Sequence, residues 1–161
     1  MYWRDRAAYP NPMGVIGFAN GCFDHFHPGH QRFLQEAQGQ CDWLIVAVNS
    51  DESVRASKGP GRPVWNFKTR FQIVRQYADA VIPFEGNEGP LILGIQPHIV
   101  FRGHDHCANE DWYRTMGWRL VPTAPSERRM PKLVQIPKFG NFSTTGILSE
   151  IQGDEGSGPL R

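Results

Sequence analysis

A three-layer α/β fold, with a parallel sheet and helices on both faces, is predicted by three features of this 161-residue sequence. Short apolar runs alternate with segments of helical periodicity, which is the pattern of βαβ units joined by crossovers. One run, Cys41-Asp42-Trp43-Leu44-Ile45-Val46-Ala47-Val48, is almost continuously apolar, as a central strand buried on both faces requires. Residues able to do chemistry follow directly after apolar runs, at the carboxyl ends of strands, where open α/β sheets bind ligands at the topological switch point.

The elements follow in order. Residues 1–12 are aromatic-rich and end in Tyr9-Pro10-Asn11-Pro12, so they read as an arm outside the core. A first strand is expected near Gly14–Ala19, and a helix near Gly29–Gln38 after an intervening loop. The second strand covers 41–48 and is ended by the turn-forming and capping residues Asn49-Ser50-Asp51. Lys58-Gly59-Pro60-Gly61-Arg62-Pro63 is too rich in Gly and Pro for regular structure. Asn66 can N-cap a helix to about Tyr77, placing Phe67, Phe71, Val74 and Ala78 on one face. Strands are expected at Ala80–Phe84 and His98–Phe101, with a short helix, Leu91–Ile95, between them and ending before Pro97. Asn109–Met116 reads as helix, Trp118–Val121 as strand, Leu133–Ile136 as a last strand, and Ser143 N-caps a final helix to about Gln152. The core domain is therefore expected over 13–152, and the Gly-rich, charged tail 153–161 is expected to be disordered. No internal repeat is present.

Composition narrows the functional classes. The chain is 40% hydrophobic and 20% charged, with a net charge of +1, which gives no support for a broad nucleic-acid or anionic-membrane surface. No apolar run spans a bilayer, and no signal-peptide core follows Met1. Cys22, Cys41 and Cys107 are odd in number and lack CxxC spacing. Reduced thiols and a cytoplasmic location are the expectation. Any anion site must be local.

The strongest local signal is Gly21-Cys22-Phe23-Asp24-His25-Phe26-His27-Pro28-Gly29-His30, where a strand hands over to a helix. Backbone N–H groups and the positive end of the helix dipole favour an anion there, and imidazoles add donors that are neutral or charged near pH 7. Gly29 allows close backbone approach, whereas Asp24 is suited to organising the loop. Asn49–Asp51 and Arg102–Asp105 fall at the carboxyl ends of two other strands, so three polar clusters converge on one edge. Lys58 and Arg62, in a rigid Gly/Pro loop, are suited to clamp phosphates, Arg as a bidentate fork and Lys as a point charge. Ser143-Thr144-Thr145 reads as an N-cap whose hydroxyls and amides can also bind phosphate. His104, His106 and Cys107 are ligand-type residues without a structural-zinc spacing, and no zinc site is expected.

The string G-x-F-D-x-x-H-x-G-H resembles the signature of the cytidylyltransferase-like nucleotidyltransferase superfamily, whose fold is Rossmann-like. Lys58-Gly59-x-x-Arg62-Pro63-Val64 is similar to the bacterial heptose 1-phosphate adenylyltransferase branch, as is the Pro137-Lys138-Phe139-Gly140 that precedes Asn141-Phe142-Ser143-Thr144-Thr145. The resemblance covers roughly residues 14–152. It implies transfer of a nucleotidyl group from a nucleoside triphosphate, with Mg2+, to a phosphorylated small molecule, releasing pyrophosphate. It implies catalytic roles for His27, His30 and Lys58. Gly21, Cys22, Phe23, Asp24, Gly29, Arg102, Ser143, Thr144 and Thr145 would bind the nucleotide. Asn49, Asp51, Arg62, Arg70, His104 and Asp105 would bind the acceptor; for Arg70 an ordinary arginine on a helix surface stays open as the alternative. His104 departs from the glycine or acid common at its position.

The reaction so implied is in-line attack of an acceptor phosphate oxygen on the α-phosphorus, with the protein positioning the reactants and stabilising developing charge. Adenylyl transfer to a sugar phosphate, by resemblance a heptose 1-phosphate, leads. Cytidylyl transfer to glycerol 3-phosphate or another polyol phosphate stays open, as does a non-catalytic nucleotide-binding module. The arm residues Tyr2, Trp3 and Tyr9 are a candidate homodimer contact.

Overall fold

The computed structural model describes residues 14–103, 114–115, 118–119 and 128–140. The expected arm, tail and final helix, and most of the expected helix 109–116, lie outside them; Arg114 and Thr115 within that span are helical.

Five parallel strands form the main sheet: β1 (Ile16–Gly21), β2 (Trp43–Asn49), β3 (Ala80–Phe84), β4 (Ile99–Arg102) and β7 (Lys132–Gln135). Their order is β3-β2-β1-β4-β7. The chain thus builds outward from β1 in one direction and then returns to its other side. β1 pairs with β2 from Ile16↔Trp43 to Gly21↔Val48, and with β4 through Gly17↔Ile99 and Phe18↔Val100. The switch point lies between β1 and β4, and the motif loop leaves β1 there. β5 (Trp118–Arg119) and β6 (Arg128–Arg129) form a separate two-stranded parallel sheet, so the strand expected at 118–121 does not join the main one.

Helices cover both faces. Alternating strand residues divide between two cores, as the two-residue side-chain period demands. On one face Ala19, Val46, Val48 and Phe101 pack with Leu34 and Ala37 of α1 (Pro28–Gly39) and Val74 of α3 (Phe67–Val74). On the other Phe18, Ala47, Phe84 and Val100 pack with Ile92 of α4 (Gly89–Ile95) and with Met130. The three-layer reading holds.

Local chemistry sets the helix ends. Asn66 Oδ1 accepts from Thr69 N at 3.0 Å, the N-cap expected for α3, but that helix stops at Val74 rather than Tyr77. A helix the sequence did not announce, α2 (Asp51–Lys58), follows β2 directly. Ser50 caps it by accepting from Ser53 N at 3.1 Å. Asp51 and Glu52 sit in its first turn and Arg55 and Lys58 in its last, matching the dipole. Val54 is its only buried residue, so the apolar periodicity that exposes longer helices is missing.

Gly17 marks the closest packing in β1. A Cβ there would lie 2.7 Å from Cys41 Sγ and 2.7 Å from Phe101 Cε2. Phe101 is fully buried and Cys41 Sγ is bonded to the Ala37 carbonyl, so neither gives way cheaply. Gly17→Ala is expected to destabilise the domain by about 1–3 kcal/mol through overpacking. Urea unfolding should show a lower midpoint at unchanged slope.

Candidate active site

The site begins where β1 ends. Phe23 and His25 both adopt left-handed φ values, 52° and 51°, a region disfavoured for residues with a Cβ. Between these two reversals Asp24 is turned inward and is 1% exposed. Phe23 drops its ring into the core, where Gly21, lacking a Cβ, leaves it room. Asp24 Oδ2 accepts from Arg62 Nε at 3.0 Å and Val64 N at 2.9 Å, and Oδ1 accepts from Trp65 N at 2.9 Å. Burial alone would raise its pKa. The amides of Trp65 and Val64, together with the Arg62 guanidinium, outweigh that and hold the carboxyl below its ordinary value.

Arg70 braces the same junction from beneath. Its Nη1 donates to the Cys22 carbonyl at 2.7 Å, Nε to the Trp65 carbonyl at 2.9 Å, and Nη2 to Asp51 Oδ1 at 2.7 Å. It is 0% exposed. Neither the expected phosphate contact nor a plain surface arginine fits a buried guanidinium with Nε, Nη1 and Nη2 all engaged: Arg70 ties the motif loop, the 62–65 loop and the start of α2 together, and Asp51 is its partner. Asp24 and Phe23, expected at the nucleotide, likewise face inward and shape the loop.

The two motif histidines form a reciprocal cap on α1. His27 is the N-cap, and its Nδ1 accepts from Gly29 N at 3.1 Å and His30 N at 3.3 Å. His30 Nδ1 accepts in turn from His27 N at 3.4 Å. This is a capping box in which imidazoles stand where Ser/Thr and Glu/Gln usually do. Pro28 at the first helical position removes an amide that would have had no partner. The rings stack with centroids 3.8 Å apart and planes 20° apart. Since both Nδ1 atoms accept, the neutral form of each ring carries its proton on Nε2. The amides that the sequence offered to an anion at Gly29 and His30 are thus engaged by His27. What the helix start presents beyond them is imidazole.

The rim carries further pairs. Asn49 links Cys22 Sγ, 3.6 Å from its Oδ1, to Ser53 Oγ, 3.0 Å from its Nδ2. At the end of β4, Arg102 Nη1 donates to Asn20 Oδ1 on β1, and Nη2 pairs with Glu88 Oε1 at 2.6 Å. Arg102 therefore straddles the switch point. Lys58, exposed at the end of α2, has no ion pair among the described residues. His104, Asp105, Ser143, Thr144 and Thr145 lie outside the described residues. No cluster of three or more potential metal ligands occurs among the described residues.

Four residues here escaped sequence reading. Asn20 and Glu88, the partners of Arg102, are single polar residues with no pattern to single them out. His25 and Trp65 bring their rings within 5.0 Å. A tryptophan in a Gly/Pro-rich segment just before a helix cap was the available signal for that pair.

Burial and the nearby His25 charge both lower the pKa of His27 below 6.5. The folded state thus resists a proton that the unfolded chain takes up. Stability is then unaffected by this group above about pH 6.5 and falls as pH drops from there through the lower folded value. Asp24 acts in a separate window, its contribution present above the unfolded carboxylate value and lost as pH falls through its depressed folded one. Unfolding midpoints measured against pH should show the upper limb flattened in His27→Asn, which keeps an N-cap acceptor without a titrating ring.

The family model described as cytidylyltransferase-like matches residues 18–147. The bifunctional protein HldE of Nitrobacter winogradskyi is 36% identical over 141 residues, and that of Pseudomonas syringae pv. tomato 38% identical over 141 residues. Each alignment covers 86% of this chain but only 27% and 28% of those proteins, so the chain spans about a quarter of the relatives' length. Among solved structures, the lipopolysaccharide core biosynthesis protein of Thermoplasma volcanium superposes with a TM-score of 0.60 at 24% identity, over 78% of this chain and 98% of that one. Pantothenate synthetase of Thermus thermophilus gives 0.50 at 16% identity, over 82% and 58%. These two likenesses speak to the fold alone. With the motif loop at the switch point and the match running from β1 past the end of the main sheet, the chain belongs to the cytidylyltransferase-like family, a family of nucleotidyltransferases.

Proposed function

We propose that this domain transfers an adenylyl group from ATP to a sugar phosphate, a heptose 1-phosphate by its likeness to the HldE proteins, and releases pyrophosphate. The observation that carries this reading is the reciprocal cap of His27 and His30. It fixes two Nε2–H tautomers at a helix N-terminus beside the switch point. An oxygen of the acceptor phosphate attacks the α-phosphorus in line, a new P–O bond forms, and the bond to the β-phosphate breaks as pyrophosphate leaves. The acceptor arrives already ionised, so no side chain need serve as nucleophile. The imidazole donors, Lys58 and the dipole of α1 stabilise charge developing on the α-phosphoryl group and the leaving pyrophosphate.

Magnesium enters with the triphosphate as part of the substrate. The carboxylates nearest the motif loop are already engaged, Asp24 with Arg62 and two amides, Asp51 with Arg70. The donor set therefore suits an ion held by phosphate oxygens and water.

Two variants separate chemistry from folding. His27→Asn keeps an N-cap acceptor, and His30→Gln keeps the reach-back of a capping box, so each should hold stability within about 1 kcal/mol of wild type. Each removes a preorganised imidazole donor and is expected to lower kcat by roughly 10²–10³. Urea unfolding reads the first point, and pyrophosphate release with ATP or CTP against a heptose 1-phosphate and glycerol 3-phosphate reads the second. Turnover within threefold of wild type in either variant defeats the mechanism. Preference for CTP and glycerol 3-phosphate replaces the substrate assignment, and nucleotide binding with no pyrophosphate from any pair makes this a binding module.

A further inference from the structure

We infer that Trp65, His25 and the Nη2 of Arg62 form the docking surface for the acceptor, an aromatic platform for a sugar ring beside a donor for its phosphate. The inference rests on the sugar-phosphate reading above and assigns that substrate a place. Trp65 belongs to neither hydrophobic core of the described residues, although it is the largest side-chain type and is half-buried. Its backbone is nonetheless held at both ends, its N–H by Asp24 and its carbonyl by Arg70, two residues that are themselves buried. An indole outside the core, carried on a backbone fixed at both ends, is poorly explained by packing. It is well suited to a ligand with an apolar face, such as the C–H face of a pyranose.

His25 supplies the other ring, with centroids 5.0 Å apart and planes at 47°. It holds this position at φ 51°, a conformation costly for a residue with a Cβ and one in which glycine or asparagine would fit more easily. Strain of that kind persists where the surroundings over-determine it, and such positions gather at ligand sites. Arg62 adds the charge. Its Nε is engaged by Asp24, whereas Nη2 is buried without a hydrogen-bond partner, the only such side-chain atom among the described residues. A buried, unpartnered guanidinium N–H is costly until an anion accepts from it. Asp24 brings all three together, because it binds Arg62 and Trp65 directly and immediately precedes His25.

The test uses the full chain, titrated calorimetrically with a heptose 1-phosphate and with glycerol 3-phosphate, with and without a non-hydrolysable ATP analogue. Trp65→Leu should weaken heptose 1-phosphate binding about tenfold while leaving glycerol 3-phosphate, which has no ring, within twofold. Trp65→Phe, which keeps a ring, should stay within threefold for both. Arg62→Lys keeps a cation for Asp24 but loses the fork, and should weaken both phosphates about tenfold with the affinity for the ATP analogue unchanged. Equal loss of both acceptors and the analogue in Trp65→Leu would mean that Trp65 only holds the loop, and would overturn the inference. So would wild-type affinity in Trp65→Leu and Arg62→Lys, or no binding of either acceptor by the wild type. Binding with these dependences but no pyrophosphate on adding ATP would leave the platform standing and remove the transferase reading. Turnover of the heptose phosphate at wild-type KM in both variants would do the reverse.

Discussion

The inward-turned carboxylate of Asp24 joins two stretches of chain that the sheet alone would leave apart. The 59–66 segment has no regular structure, and its positions are set by what grips it. Asp24 accepts from a side chain and two amides of that segment, and Arg70 takes the Trp65 carbonyl from the opposite side. Both groups are almost fully removed from water, so removing either partner would strand polar atoms in a poorly solvated place. The left-handed turns at Phe23 and His25 are what aim the carboxylate inward. Motif loop and 59–66 loop therefore behave as one unit. Their shared anchor sits one residue from His25 and three from His27.

A second consequence concerns charge. Three arginines stand at the carboxyl edge of the sheet, and each has a carboxylate: Arg62 with Asp24, Arg70 with Asp51, Arg102 with Glu88. A near-neutral chain can thus place three guanidinium groups at this edge without a large repulsive field. Paired in this way, the arginines act first as fasteners. Arg70 has all three kinds of guanidinium nitrogen engaged, whereas Arg62 retains one without a partner. The same residue type in the same loop system therefore differs in how completely its guanidinium is engaged.

That difference marks what could be read from the sequence. Strand positions were legible because a sheet covered on both faces demands long apolar runs, and β2 and β3 fall close to where those runs are. The Asn66 cap was legible because one side chain suffices to make it. Helix α2 was not, because a single buried valine leaves no periodicity. Arg70 was misplaced for a related reason: an arginine on an amphipathic helix looks exposed unless its buried partners, Asp51 and two carbonyls, are known. Carbonyl acceptors leave no trace in a sequence. The histidine pair was legible as a motif, but its reciprocal geometry was not, since spacing shows proximity and not which nitrogen accepts.

The geometry also explains why imidazole suits these two positions. Serine and glutamate would cap the helix equally well, but both would then present acceptors or negative charge outward from the helix start. Imidazole accepts at Nδ1 and donates at Nε2, so one ring can take the helix amides on one side and offer an N–H on the other. Accepting from the amides of Gly29 and His30 polarises the ring of His27, and His27's own amide does the same to His30. The positive end of the helix is thereby relayed outward through two rings. Keeping His27 unprotonated preserves that relay, because a proton on Nδ1 would break the cap and reverse the direction of donation. The lowered pKa of His27, set by its burial and the His25 charge, thus accords with its place as the cap of α1.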